Sequence, residues 1–228
     1  MGPHPADPAS TSARPTRRLF VLALAAAAAL RPVAAVAHVS SEPPADGALD
    51  GWPAFAPASI LSRWTAVLRR HAEQELRPGA RLHAADRRWR AWQAGLAGLS
   101  PAAQRARIDA EVNRVPYIAE APGTDRWETP REFIANGGDC EDYAIAKYLL
   151  LRGAEPATGP FLIVATARGR PHAMCGIAVP GGYAVLDNLR PAIAVVRHLN
   201  AVAPIYLLDE QALYLPPPDA RRLADRRH

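Results

Sequence analysis

Residues 127–153 constrain the fold more than any other part of the chain. They read WETPREFIANGGDCEDYAIAKYLLLRG. Thr129, Pro130 and Glu132 match a capping box with proline at the first helical position. They therefore predict a short helix, which the two glycines at 137–138 end because glycine readily adopts the left-handed conformation common after helices.

A second helix is predicted to begin directly after these glycines. Asp139 suits the N-cap position, and the helix is expected to run from Cys140 to about Gly153. Within residues 143–151 the only charged side chain is Lys147, and apolar residues occupy all sides. A helix that is apolar all round is usually buried, so this helix is expected to lie in the core.

The cysteine at this helix start is a candidate nucleophile. A thiol there meets the positive end of the helix dipole, which favours the thiolate. Asp139, Glu141 and Asp142 surround Cys140 and place the helix start at a polar surface or cleft. The alternative is that Cys140 is a small core residue, as free cysteines often are.

The N-terminus has the layout of an export signal. Two arginines precede an apolar run at 19–30, and residues 35–37 (AVA) offer a small-x-small cleavage site. The run is too short and wrongly flanked for a membrane span, so residues 1–37 are predicted to be a signal peptide. Residues 16–20 resemble a twin-arginine signal, although Sec export stays open. The mature protein is expected to be periplasmic and not to span the membrane.

The remainder is predicted to be one folded domain with a tail at each end. Residues 38–57 are rich in Ser, Pro, Gly and Asp and predict a flexible leader, residues 58–216 form the domain, and residues 217–228 are a disordered basic tail. The net charge of +5 resides in the signal peptide and the tail. The body is therefore close to neutral and shows no basic stripe, which argues against nucleic-acid binding.

Periodicity predicts an α+β fold, with helices first and an antiparallel sheet after them. The predicted helices, in addition to the two above, cover 59–77, 84–96 and 101–113. The predicted strands cover 161–167, 172–179, 183–189, 193–197, 205–208 and 213–215.

One predicted hairpin brings a histidine and an aspartate together. With residues 180–181 at the centre of the turn, His172 and Asp187 share a face as diagonal neighbours, whose Cα atoms are about 7–8 Å apart. Cys175 has the opposite parity and is predicted to pack in the core near Leu186. A disulfide between the two cysteines would block a nucleophile, and no cluster suggests structural zinc.

These residues together suggest a triad of Cys140 as nucleophile, His172 as base and Asp187 as the acid that orients the imidazole. A histidine and an aspartate on strands are, however, often purely structural.

The motifs resemble those of the bacterial transglutaminase-like cysteine peptidases. The resemblance rests on W-x-T-P-x-E-F, GGDCEDYAIAKY, P-H-A and V-L-D-N-L, spread over residues 113–189. It implies a papain-like, transglutaminase-like core in which N-terminal helices and a buried nucleophile helix pack on an antiparallel sheet. It also assigns the three triad roles to Cys140, His172 and Asp187, and so implies a thiol protease.

The resemblance further implies a substrate, a cofactor and a regulator. The substrate would be a large surface adhesin cleaved in biofilm control, and an inner-membrane receptor responsive to cyclic di-GMP would sequester the protease. Calcium would be bound by Asp139 and Glu141 with Asp142 as a third ligand, in keeping with its demand for carboxylate oxygens. The alternative is that these acids only cap the helix and complement its dipole.

Two other functions stay open from the sequence. The same triad serves a transglutaminase or amidotransferase that passes the acyl group to an amine. A non-catalytic peptide-binding module would not need the three residues at all.

Overall fold

A computed structural model describes residue 49 and residues 51–121 and 123–217. The predicted signal peptide, most of the predicted leader and the basic tail beyond residue 217 lie outside the described residues.

Five helices of at least seven residues occur in this part of the chain. They are α1 (Ser62–Leu76), α2 (His83–Ala94), α3 (Pro101–Val112), α4 (Pro130–Asn136) and α5 (Cys140–Ala154). The Ser100 hydroxyl caps α3, and Thr129 and Glu132 form the predicted capping box of α4. Among the described helices none is both long and apolar enough to cross a membrane.

Seven strands form one antiparallel sheet. They are β1 (Ala54–Pro57), β2 (Phe161–Ala167), β3 (Arg170–Val179), β4 (Gly182–Leu186), β5 (Ala194–Val196), β6 (Pro204–Leu208) and β7 (Ala212–Tyr214). Their spatial order is β1-β7-β6-β2-β3-β4-β5. Helices followed by an antiparallel sheet confirm the predicted α+β fold.

Strand β1 corrects one predicted boundary. Residues 54–57 were expected to end a flexible leader, but they pair with β7 at the edge of the sheet. The strand is four residues long and mostly exposed, so it has no alternating apolar pattern that would mark it in the sequence. The folded domain therefore begins before residue 58.

The core lies between α5 and the central strands. Helix α5 is buried over residues 141–151, as its all-round apolar sequence predicts. The five residues at the start of β2 are buried, and Phe161 packs so closely on β3 that a side chain at Gly176 would meet its ring at 2.5 Å. Helix α5 packs against β3, the strand that carries His172.

The β3–β4 hairpin has the predicted register. Val179 pairs with Gly182 and Cys175 with Leu186, so the turn is centred on residues 180–181 as expected. Strand β4 ends at Leu186 instead of the predicted 189. Asp187 is therefore the first residue beyond the strand, at the edge of the core.

A buried arginine ties three helices together. Arg131 of α4 is fully buried, and its guanidinium binds Asp86 of α2 at 2.7 Å and Glu75 of α1 at 3.0 Å. A buried cation is tolerated only where it is paired, so this network fixes how α4 docks.

We expect Arg131→Ala to lower the free energy of unfolding by about 3 kcal/mol, because it leaves a cavity and removes the shared partner of two carboxylates. Urea denaturation followed by circular dichroism measures the change. The matched control is Arg69→Ala, since Arg69 pairs with Glu73 on the exposed face of α1. Its cost should stay below about 0.5 kcal/mol. Equal losses in the two variants would contradict the structural role of Arg131.

Candidate active site

Cys140 is the first residue of α5 and is half-buried. Asp139 occupies the N-cap position, as predicted. The start of a helix carries partial positive charge, so this position can stabilise negative charge on a reacting oxygen.

The carboxylate of Asp142 fixes the backbone around the cysteine. Its Oδ1 accepts a hydrogen bond from the Glu128 N–H at 2.7 Å, and its Oδ2 accepts one from the Asp139 N–H at 3.1 Å. Burial raises the pKa of Asp142 to about 7, and these N–H groups oppose that rise. Asp142 thus joins the residues before α4 to the start of α5.

Two glycines are required where the chain turns into α5. Gly137 has a φ of +78°, and a Cβ there would lie 2.7 Å from the Pro116 carbonyl oxygen. A Cβ on Gly138 would lie 2.3 Å from Asp142 Oδ2. The GG pair therefore allows both the turn and the close approach of the Asp142 carboxylate.

His172 and Asp187 are in direct contact, with His172 Nε2 lying 2.7 Å from Asp187 Oδ1. The Leu189 N–H also donates to Asp187 Oδ1, at 2.9 Å. Burial alone would raise the pKa of Asp187, but these hydrogen bonds outweigh burial and hold the pKa below its usual range. Asp187 is therefore a carboxylate that can orient the imidazole.

Strand β3, which carries His172, packs against α5, which begins at Cys140. The backbone N–H of Ala173, the residue after His172, interacts with the thiol of Cys140. Since Asp187 binds Nε2 of the imidazole, Nδ1 is the nitrogen left for the thiol. The structure thus places His172 against Asp187, and Ala173, the next residue, against the Cys140 thiol.

The thiol also contacts a carboxyl group. Cys140 Sγ donates to Glu141 Oε2 at 3.2 Å. Burial and the negative charge of Glu141 raise the pKa of Cys140 well above its usual range, and the Ala173 N–H only partly opposes them. The helix dipole was expected to favour the thiolate, but burial and Glu141 outweigh it.

Asp139, Cys140 and Glu141 form a group that could hold a cation, with ligand atoms all within 4.8 Å of one another. Asp139 Oδ1 is buried without a hydrogen-bond partner. Burial, followed by the neighbouring Asp139 carboxyl, raises the pKa of Glu141 to about 9. Crowded, underpaired carboxyl oxygens of this kind suit a hard cation such as calcium.

Asp142 does not join this group. It was predicted as a third calcium ligand, but both of its oxygens accept backbone N–H groups instead. The sequence could not separate these roles, because all three acids stand within the first turn of one helix.

Cys175 lies on β3 with a fully buried side chain, opposite Leu186. Both cysteines are free, and burial raises the pKa of Cys175 well above its usual range. The prediction of a core cysteine is confirmed.

Two contributions to the site escaped the sequence reasoning. Lys147 on α5 is fully buried, pairs with Asp109 of α3 at 2.7 Å, and helps to lower the pKa of Asp187. A lone lysine in an apolar helix signals a buried partner, but not which one. Tyr117, whose phenol lies within electrostatic reach of Cys140, stands in a segment for which the sequence predicts no helix or strand.

We expect Gly138→Ala to destabilise the protein by about 1–3 kcal/mol and to slow alkylation of Cys140, because the new Cβ displaces the Asp142 carboxylate. Thermal unfolding and the rate of iodoacetamide labelling measure the two effects. Gly153→Ala is the matched control, since no heavy atom lies within 4 Å of its added Cβ. It should leave labelling unchanged and stabilise α5 by about 0.5–1 kcal/mol. Similar behaviour of both variants would refute the steric argument.

The chain resembles known proteins in both sequence and fold. The family profile of the bacterial transglutaminase-like cysteine proteinases matches residues 102–201. A calcium-bound structure of LapG from Legionella pneumophila aligns with a TM-score of 0.53 and 20% identity over 72% of this chain and 98% of that one. An EGTA-treated structure of LapG from the same organism gives 0.52 and 20% over 71% and 97%. The curated proteins contain no match. The structural likeness confirms the transglutaminase-like α+β fold.

Proposed function

We propose that Cys140, His172 and Asp187 are the catalytic triad of a cysteine peptidase, because the profile of the bacterial transglutaminase-like cysteine proteinases matches residues 102–201, which contain all three. The observation that carries this proposal is the 2.7 Å contact between His172 Nε2 and Asp187 Oδ1, next to the strand residue whose N–H meets the thiol.

The geometry supports an acyl-enzyme mechanism. His172 Nδ1 takes the proton of Cys140, and the sulfur attacks the peptide carbonyl carbon while N–H groups at the start of α5 stabilise the oxyanion. The imidazolium then gives its proton to the leaving amine. Water, deprotonated by the same imidazole, hydrolyses the thioester and restores the thiol. Asp187 orients the ring and supports its positive charge throughout.

Transfer of the acyl group to an amine would use the same residues, and a transglutaminase or amidotransferase is therefore the alternative acceptor chemistry. The proteinase family supports water as the acceptor.

We also propose that calcium binds at Asp139 and Glu141. Three observations support this proposal. The ligand atoms of Asp139 and Glu141 lie close together, Asp139 Oδ1 is buried without a hydrogen-bond partner, and LapG has been described in a calcium-bound form. Bound calcium would supply positive charge that offsets the two carboxylates beside the thiol. Asp142 would not bind the ion but would position the site, because its carboxylate holds the backbone at Glu128 and Asp139.

The cellular setting is proposed from the sequence. The signal-peptide pattern at 1–37 supports export to the periplasm, and the family resemblance supports a surface adhesin as the protein substrate. The resemblance likewise supports an inner-membrane receptor for cyclic di-GMP as the regulator. Nucleic acid is not an expected partner.

In the calcium-supplemented protein, we expect iodoacetamide to label Cys140 at pH values well below the usual thiol pKa of about 8.5. We expect His172→Ala to slow this labelling about 100-fold. Mass spectrometry at several pH values gives the rates and the labelled site. Cys175→Ser should behave as wild type, because Cys175 is fully buried. Labelling that does not depend on His172 would refute the triad.

We expect the metal-free protein to lose stability as pH rises towards 9. Burial and Asp139 raise the pKa of Glu141 to about 9 from an ordinary 4.5, so its favourable contribution is complete below the ordinary pKa and is lost as the carboxyl ionises. Glu141→Gln should flatten this decline in thermal unfolding midpoint. The exposed Glu73→Gln should not flatten it.

Calcium should raise the unfolding midpoint of wild type at neutral pH, and isothermal titration calorimetry should show binding. Both effects should vanish in Glu141→Gln and persist in Glu73→Gln. A calcium response that survives Glu141→Gln would place the ion elsewhere.

A further inference from the structure

A short extended segment, residues 116–118, runs beside the chain that leads into the nucleophile. The Gly138 N–H donates to the Pro116 carbonyl at 3.4 Å, and the Ile118 N–H donates to the Gly138 carbonyl at 2.8 Å. These two bonds form a parallel bridge between Tyr117 and Gly138. Gly138 stands two residues before Cys140, so the segment flanks the approach to the thiol.

The bridge leaves one backbone edge open. In a parallel pair, the residue between the two bonded neighbours directs its own N–H and C=O away from the partner strand. Tyr117 occupies that place, and within the described residues its N–H and C=O have no backbone hydrogen-bond partner. An unpaired strand edge is a template for another extended chain.

The side chains along this edge are large, apolar and exposed. Tyr117 is 56% exposed and Ile118 is 53% exposed. Large apolar side chains that are exposed together beside the proposed catalytic centre indicate a binding surface. Because adjacent residues of an extended segment project to opposite faces, each of the two offers apolar contact on one face of a bound chain.

The segment is held in place. The Tyr117 ring stacks on the buried Tyr143 ring, with centroids 6.4 Å apart and an interplanar angle of 23°. The Tyr143 hydroxyl in turn donates to the Val115 carbonyl. Because the edge is fixed before anything binds, a bound chain has little ordering cost to overcome in the enzyme.

The Tyr117 phenol lies near the cysteine and its neighbouring acids. Burial raises the pKa of Tyr117, and the negative charges of Cys140, Asp139 and Glu141 raise it further. The Tyr117 side chain therefore lies within electrostatic reach of the thiol.

We propose that Tyr117 and Ile118 form the binding edge for the acyl side of an extended peptide substrate. The Tyr117 N–H and C=O pair with the backbone of the substrate residue that precedes the one whose carbonyl is attacked. The Tyr117 side chain contacts the apolar side chain of this paired residue, and Ile118, on the opposite face, contacts the neighbouring substrate residue. This inference rests on the proposed peptidase function and adds to it a recognition mode and a preference for an apolar residue. Main-chain pairing supplies affinity, and the side-chain contacts supply specificity.

The test uses two irreversible peptide reagents on the full chain. Acetyl-Leu-Ala chloromethyl ketone alkylates Cys140, with a new S–C bond replacing the C–Cl bond and release of chloride. Its analogue with N-methylated leucine lacks the N–H that would donate to the Tyr117 carbonyl. Iodoacetamide serves as the small reference reagent, and every peptide rate constant is divided by the iodoacetamide rate constant of the same variant.

We expect N-methylation to lower the normalised rate about 5-fold in wild type, as loss of one hydrogen bond does. Tyr117→Ala and Ile118→Ala should each lower the rate of the parent reagent about 3- to 10-fold by removing apolar contact. Tyr117→Phe keeps the ring and the backbone, and it should remain within about twofold of wild type. Thermal unfolding verifies that each variant is folded.

Phe55→Ala is the matched control. Phe55 is an exposed aromatic residue, 45% accessible, on β1 at the far edge of the sheet from β3. Its normalised rate should equal that of wild type. If N-methylation has no effect, and Tyr117→Ala behaves like Phe55→Ala, the binding edge is overturned.

Failure of the triad is recognised separately. The iodoacetamide rate alone reports on the thiol and its dependence on His172, whereas the normalised rate reports only on recognition of the peptide.

Discussion

The site depends on one buried carboxylate. Asp142 is buried, and no cationic side chain among the described residues pairs with it. Hydrogen bonds from two backbone N–H groups offset the cost of burying its carboxylate. That exchange works only because Gly138 has no side chain to keep the carboxylate away. Fixing Asp139 in this way fixes the first turn of α5, and with it the direction of the Cys140 side chain. The remaining elements of the site are placed relative to that turn.

The same turn carries a conflict between structure and reactivity. Acids near a helix N-terminus stabilise the helix, yet a carboxyl beside a thiol disfavours the thiolate. In this site the second effect is stronger, because Glu141 is buried and hydrogen-bonded to the sulfur itself. A cation held by Asp139 and Glu141 would remove the conflict. The proposed cation would thereby give Asp139 and Glu141 a role beyond the capping box that Asp139 and Asp142 form.

Capping motifs and the alternation of side chains along a strand made much of the fold and the candidate site predictable from the sequence. The capping residues of α4 and the N-cap of α5 act within one turn, and hairpin register follows from turn length, which is why the sequence could place His172 and Asp187 on one face. Contacts between distant segments could not be derived. Nothing local pairs Lys147 with Asp109, and the short exposed strand β1 has no apolar period to reveal it.

The open edge at Tyr117 shows why the missed part matters most for function. A catalytic residue must be of a particular type, so it can be recognised in the sequence. A backbone N–H and C=O, in contrast, are present in every residue except proline, which lacks the N–H. Their availability depends on which neighbours already pair, and here the bridge to Gly138 occupies the groups of Pro116 and Ile118 and leaves those of Tyr117. Substrate recognition through the main chain is therefore a property of the fold, while the chemistry is largely a property of the motif.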